Sequence, residues 1–220
     1  MAKILITSGP TRQYLDPVRY LSNASSGRMG AALAQAAIDQ GHQVILVSGP
    51  VSIEYPSQAT VIPVVSTDDM LRESSRWFPQ CDGMIGAAAP CDYMPKFIEA
   101  EKIAKTGQPL QLQLIETPDV VATLGQAKQP HQWVVGFALE SEDRHFRAIV
   151  KLEKKHCDLI VSNGPAAIDA ERNEVELIDP SGAIVTKITD TKEAVAQHLM
   201  AEIQRRLIDQ TVPPHRASNL

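Results

Sequence analysis

Ser25-Ser26-Gly27-Arg28-Met29-Gly30 places two hydroxyls, two glycines and a guanidinium in six consecutive residues. Small residues at this point let backbone N–H groups approach a phosphate. A helix starting at Met29 would turn the positive end of its dipole toward the same anion. Arg19 and Asn23, just upstream, add a cation and an amide. The competing reading is structural: Ser25 or Ser26 is an ordinary helix N-cap, and the glycines serve close helix–sheet packing. No G-x-G-x-x-G, no G-x-x-x-x-G-K-[ST] and no Tyr-x-x-x-Lys occurs, which argues against a dinucleotide-dependent reductase and against a P-loop kinase.

Three further clusters could carry chemistry. Ala87-Ala88-Ala89-Pro90-Cys91-Asp92-Tyr93 follows an apolar run, so Asp92 sits where it could meet a base, a ribose or a metal, or simply form a turn. Lys102 and Lys105 lie in a proline-rich stretch and could close over a polyphosphate; otherwise they are solvated charge. Lys151 and Lys155 are four apart and share one helical face, with Lys154 and Asp158 beside them. The six histidines have no metal-ligand spacing, and no nucleophile elbow is present. Cys81, Cys91 and Cys157 form no CxxC pair and read as free thiols of a reducing compartment.

The elements that must position these residues alternate. Apolar runs at 3–8, 43–48, 60–65, 83–89, 133–139 and 159–162 read as buried strands. Helical spacing spans 29–40, 67–77 (capped by Thr67), 118–127 (Pro118 in its first turn), 143–156 and 191–207. Residues 110–115 alternate as a half-exposed strand, and 174–178 with 183–188 flank a Pro-Ser-Gly turn as a late hairpin. The expected fold is therefore α/β: a Rossmann-like parallel sheet flanked by helices, with a long flap loop at about 90–117 and the hairpin. One domain is expected over 1–208, with a flexible tail at 209–220. The formal net charge of −5 gives nucleic acid binding no electrostatic support. No run suits a signal peptide or a membrane span, so a soluble cytoplasmic protein is expected.

Taken in order, these segments resemble phosphopantothenate–cysteine ligase, the synthetase domain of the bacterial pantothenate-metabolism flavoproteins. The likeness runs from Ile4 to about Arg206. It rests on Asp16-Pro17-Val18-Arg19-Tyr20-Leu21-Ser22-Asn23-x-Ser25-Ser26-Gly27-x-Met29-Gly30, Ala88-Ala89-x-x-Asp92-Tyr93, Lys102-Ile103-x-Lys105, Thr117-Pro118-Asp119, Gly136-Phe137-Ala138-x-Glu140 and Lys151-Leu152-x-x-Lys155-x-x-Asp158.

The resemblance implies an enzyme that joins 4′-phosphopantothenate to L-cysteine in coenzyme A biosynthesis. CTP is the co-substrate, with ATP the alternative, and Mg²⁺ assists. An acyl-cytidylate forms with release of pyrophosphate, and the cysteine amine then displaces CMP. It further implies a homodimer with shared sites, here a stand-alone ligase beside a separate decarboxylase flavoprotein. By the same resemblance Asn23 turns over the acyl-cytidylate, Arg19 and Ala89 meet phosphopantothenate, and Lys102 is the catalytic flap lysine. Ser25, Ser26, Gly27, Asp92, Lys102, Pro118, Asp119, Phe137, Lys151 and Lys155 contact the nucleotide; no metal ligand is assigned. The chain departs from the family pattern at Pro10, Pro90-Cys91, Met94 and Ala104, and 168–173 echoes it only loosely. A non-catalytic nucleotide-binding paralogue is the alternative.

Overall fold

The computed structural model describes residues 1–140, 142–164 and 172–211. Its elements run β1 (Lys3–Ser8), β2 (Arg12–Tyr14), β3 (Tyr20–Ser22), α1 (Arg28–Asp39), β4 (Gln43–Ser48), β5 (Thr60–Pro63) and α2 (Thr67–Trp77). Then come β6 (Gly83–Gly86), β7 (Tyr93–Pro95), β8 (Leu114–Glu116), α3 (Val120–Ala127), β9 (Trp133–Leu139), α4 (Arg144–Lys154), β10 (Leu159–Asn163), β11 (Arg172–Ile178), β12 (Ile184–Thr191) and α5 (Lys192–Ile203).

Eight strands form one sheet in the order β12-β11-β10-β9-β6-β1-β4-β5. The run from β10 to β5 is parallel, as the Rossmann-like expectation requires. The late hairpin joins it antiparallel along β10, so it extends the main sheet. Side chains alternate across the sheet. Ile4, Ile6, Val44 and Leu46 face α1 and α5 on one side; Leu5, Ile45 and Val47 face α2, α3 and α4 on the other. Burial on both faces is why these strands read as continuous apolar runs. The chain leaves β1 toward β4 and β5, then returns to β6 on β1's other side. A crevice opens at the carboxyl ends of the strands where the order reverses.

Several boundaries differ from the sequence expectation, each for a local reason. Helix α2 is capped by Ser66, not Thr67. The Ser66 hydroxyl accepts from the Asp69 N–H and the Asp69 carboxylate accepts from the Ser66 N–H, both at 3.0 Å. Thr67 is instead buried, 2.9 Å from Thr11 and from Gln13. Pro118 precedes α3, whose cap is Asp119, accepting from the Ala122 N–H at 3.0 Å. The strand from Gly83 stops at Gly86, and Ala89 makes only an isolated bridge to Pro10. The strand from Thr60 stops at Pro63, where no N–H remains to donate.

The two long loops contain ribbons that alternation did not reveal. Inside the first, β2 pairs antiparallel with β3. The flap is stapled at its base by β7 pairing with β8, and of the expected 110–115 strand only Leu114 and Ile115 fall in β8. The C-terminal helix widens to π-helical turns at Gln204–Ile208 and closes on a short 3-10 turn at Asp209–Thr211. Of the expected tail, residues 212–220 lie outside the described residues.

Candidate active site at the sheet's carboxyl edge

The turn before α1 is shaped by glycine. Gly27 is the N-cap at φ 77°, with no side-chain cap, so neither Ser25 nor Ser26 is spent on capping the helix. A β-carbon on Gly27 would stand 2.9 Å from the Val51 side chain and 3.1 Å from the Tyr55 hydroxyl. One on Gly30 would stand 2.1 Å from Ser8 Oγ. Close helix–strand packing through the glycines and a helix start left open by the serines therefore coexist here. Ser8 Oγ donates to the Gly27 carbonyl at 3.2 Å and accepts from the Tyr55 hydroxyl at 3.0 Å, which holds the turn from behind.

Across the crevice stands the loop after β6. Asn23 ties the two together: its Nδ2 donates to the Pro90 carbonyl at 2.9 Å and the Ala89 carbonyl at 3.3 Å. Cys91 is the hub behind this loop. Its N–H donates to Thr11 Oγ1 at 2.8 Å, and its carbonyl accepts from Thr117 at 2.5 Å and Thr67 at 3.3 Å. Pro10 fits because the left-handed backbone falls on Gly9, at φ 74°, and the Gly9 carbonyl accepts from the Ala89 N–H at 2.9 Å. The substitution at position 10 thus costs the turn no hydrogen bond donor that Ala89 depends on.

These elements enclose a cavity of about 500 Å³. Asn23, Ser25, Ser26, Gly27, Ala89, Asp92, Phe137, Lys151 and Lys155 all line it. A second cavity of about 280 Å³ adjoins it, lined by Thr117, Pro118, Asp119 and Lys154. Asp92, Phe137 and Lys155 line both. Sequence reasoning thus brought most of its candidates to one place, but not all. Arg19 and Lys102 line neither cavity. It also missed Asn173 and Lys192 as cavity residues: Asn173 closes the 168–173 stretch that only loosely echoes the family pattern, and Lys192 belongs to no motif read from the sequence.

The larger cavity is cationic. Among the described lining residues, Arg28, Lys151, Lys155 and Lys192 oppose one carboxylate, Asp92, in a chain of net charge −5. A cleft of one sign inside low-dielectric walls concentrates anions. Lys151 is held by the buried Glu140 at 2.6 Å, and Lys155 by Asp119 at 3.1 Å. Both ammonium groups are thereby aimed before a ligand arrives. Among the described residues no group of three or more His, Cys, Asp or Glu could hold a metal. Among the described lining residues Asp92 is the carboxylate that could join ligand phosphates in holding a Mg²⁺, which commonly binds through one or two carboxylates and phosphates. Burial pushes the Cys81 thiol up to about 11 and the Cys157 thiol up to about 12, and it raises Cys91 as well. None offers a thiolate nucleophile.

Within one subunit Arg19 stands away from the cavities, in a clamp on Asp16 and the flap. Its guanidinium donates to Asp16 Oδ2 at 2.6 Å and to the Ile103 carbonyl at 3.0 Å, while Asp16 accepts from the Ile103 N–H at 3.1 Å. The flap is clamped to the 15–20 segment beside Lys102. Burial pushes the Asp16 carboxyl up, but the N–H donors of Val18, Ile103 and Arg19 and the Arg19 charge outweigh it and hold it at about 2. A depressed carboxyl stabilises the fold above its unfolded value, about 3.9, and loses that contribution as pH falls toward 2. Asp16→Asn is therefore expected to expose Lys102 and Lys105 to trypsin several-fold faster at pH 7.5. Its stability deficit against the parent, followed by acid unfolding, should shrink from pH 4 downward and vanish near pH 2. An unchanged cleavage rate would refute the clamp.

The family described as "DNA/pantothenate metabolism flavoprotein C-terminal domain" matches residues 1–207. The chain belongs to that family. It is 35% identical over 206 residues to the coenzyme A biosynthesis bifunctional protein CoaBC of Haemophilus influenzae, covering 92% of this chain and 51% of that protein. It is 40% identical over 206 residues to a cysteine/cysteine sulfinic acid decarboxylase of an unknown prokaryotic organism, covering 91% of this chain and 57% of that one. The crystal structure of the C-terminal domain of a CoaBC protein superposes with a TM-score of 0.79 at 36% identity, covering 94% of this chain and 98% of that chain. The chain spans about half the length of the curated relatives it matches. For this family member the fold expected from sequence is the fold found.

Proposed function

We propose that the chain is a phosphopantothenate–cysteine ligase acting in coenzyme A biosynthesis, with CTP as co-substrate and ATP as the alternative nucleotide. The observation that carries this reading is the cationic cavity in which Asn23 bridges the α1 turn to the Ala89–Pro90 loop. The base and ribose occupy the smaller cavity beside Pro118, Asp119 and Asp92; the phosphates lie in the larger one among Ser25, Ser26, Gly27, Lys151 and Lys155. A substrate carboxylate oxygen attacks the α-phosphorus, and the bond to the bridging oxygen breaks to release pyrophosphate. The cysteine nitrogen then attacks the acyl carbonyl carbon, the acyl–phosphate bond breaks, CMP leaves, and the amine loses a proton. Neither step asks for a protein nucleophile. Both ask for neutralised charge and fixed geometry, which the lysines and N–H groups supply and to which a Mg²⁺ would add charge neutralisation.

Arg19 and Lys102 enter this reading through a second subunit. Tyr20, Tyr93, Phe97, Ile98, Leu110 and Leu112 are exposed around the two ribbons and the flap. A homodimer built on that surface would cover them and place the Arg19–flap clamp toward its partner's site. The experiment for the reaction is pyrophosphate release from purified protein with phosphopantothenate, Mg²⁺ and each nucleotide in turn, with and without cysteine. Release with CTP that becomes multiple-turnover only with cysteine is the expected result. Silence with CTP, ATP and UTP would sink the proposal and leave a nucleotide-binding protein.

A further inference from the structure

Lys192 is only 8% exposed, yet it lines the larger cavity, and it is the first residue of α5. A lysine there is opposed twice. Burial strips water from the ammonium, and the helix start presents partial positive charge. The helix does not need it: Thr191 already caps α5, accepting from the Ala194 N–H at 3.3 Å. A buried lysine at a helix start that also lines the cavity is placed to meet an anionic ligand. Lys192 Nζ donates to Asn173 Oδ1 at 3.4 Å, and Asn173, also buried, lines the same cavity.

The sheet gives this pair its place. Phe137 and Ala88, at the mouth shared with the smaller cavity, belong to β9 and to the loop after β6. Asn173 stands at the start of β11, two strands beyond β9, on the carboxyl edge because β11 runs antiparallel to β10. Two strand spacings are roughly 10 Å. Resting on the ligase reading, a nucleotide with its base in the smaller cavity and its α-phosphate facing Asn23 has room to send its distal phosphates that way.

We propose that Lys192 and Asn173 hold the β- and γ-phosphates of the nucleoside triphosphate, the portion that leaves as pyrophosphate. Lys192 neutralises charge that accumulates on this group as the bond to the α-phosphate breaks; Asn173 orients the ammonium and offers its amide.

The test uses the whole chain and two probes, inorganic pyrophosphate and CMP, by calorimetry, alongside steady-state kinetics. Lys192→Met keeps the aliphatic stem and removes the charge. Pyrophosphate affinity should fall about tenfold or more, as expected for a lost charge-assisted contact. CMP affinity should stay within about twofold of the parent by the same reasoning. The nucleotide KM should rise with the loss of pyrophosphate affinity, while the KM for cysteine is unmoved. Lys192→Arg should keep most of the pyrophosphate affinity. Asn173→Ala, which leaves the lysine in place, should lose a smaller part of it and serves if Lys192→Met does not fold. Pyrophosphate binding that is unchanged in these variants, or lost in equal measure with CMP binding, overturns the assignment. A parent protein that binds pyrophosphate through Lys192 but releases none from any nucleotide would overturn the ligase reading and leave this site standing.

Discussion

Asn23→Asp should convert steady turnover into a single burst: one equivalent of pyrophosphate per site, an accumulated acyl-nucleotide, and final product formed about 100-fold more slowly. The size is that of removing one aimed donor from a developing charge. Asn23 donates through Nδ2 to the Pro90 and Ala89 carbonyls, so its amide spans the crevice between the phosphate turn and the loop carrying Asp92. Aspartate cannot donate. It sets a carboxylate against two carbonyl oxygens and adds negative charge to a cavity organised for anions. The nucleotide should still bind, since the lysines and the α1 turn remain, with a KM raised by no more than about tenfold. Rapid-quench separation of the acyl-nucleotide from product reads the outcome. Parental rates of product formation would remove Asn23 from the second step.

Gly49→Ala carries the largest structural effect expected. A β-carbon there would lie 1.6 Å from the Pro10 carbonyl oxygen and 2.7 Å from its carbon. Backbone cannot swing aside as a side chain can, and Pro10 has the least freedom of any residue to adjust. The 9–11 turn would have to move, and with it the Gly9–Ala89 hydrogen bond, the Pro10–Ala89 bridge and the Thr11–Cys91 contact. Severe overpacking of this kind costs at least about 3 kcal/mol, a fall in Tm of roughly 6–12 °C for a domain of this size. Activity should fall further than stability, because the displaced residues hold the site. A variant with parental Tm would show that the turn has slack these contacts do not suggest.

The strands and most of the helices were legible because their signals are local. Continuous apolar runs such as 43–48 need no partner to be recognised as strands buried on both faces, and Ala- and Leu-rich spacing after Met29 needs none to be a helix. The two ribbons were not legible. Tyr93–Pro95 is three residues long, contains a proline and finds its partner some twenty positions later across the flap; pairing at that distance leaves no pattern in a window. Ser66 and Thr67 are both good caps by type. What sent Thr67 inward was Thr11 and Gln13, which are remote in the chain.

The sequence by itself determined the alternation of strands and helices, the serine–glycine turn before α1 and the identity of most residues on one side of the cavity. Those features depend on residue type and short spacing, which a linear reading sees. Only the tertiary structure decided where the residues stand. It set Arg19 outside its own subunit's cavity, in a clamp on Asp16 and the flap, because a fully buried carboxylate needs a partner. It brought in Lys192 and Asn173, because an antiparallel hairpin added to a parallel sheet returns the chain to the carboxyl edge and starts α5 beside α1. That return is a property of sheet direction and strand order, and no local stretch of the chain records it.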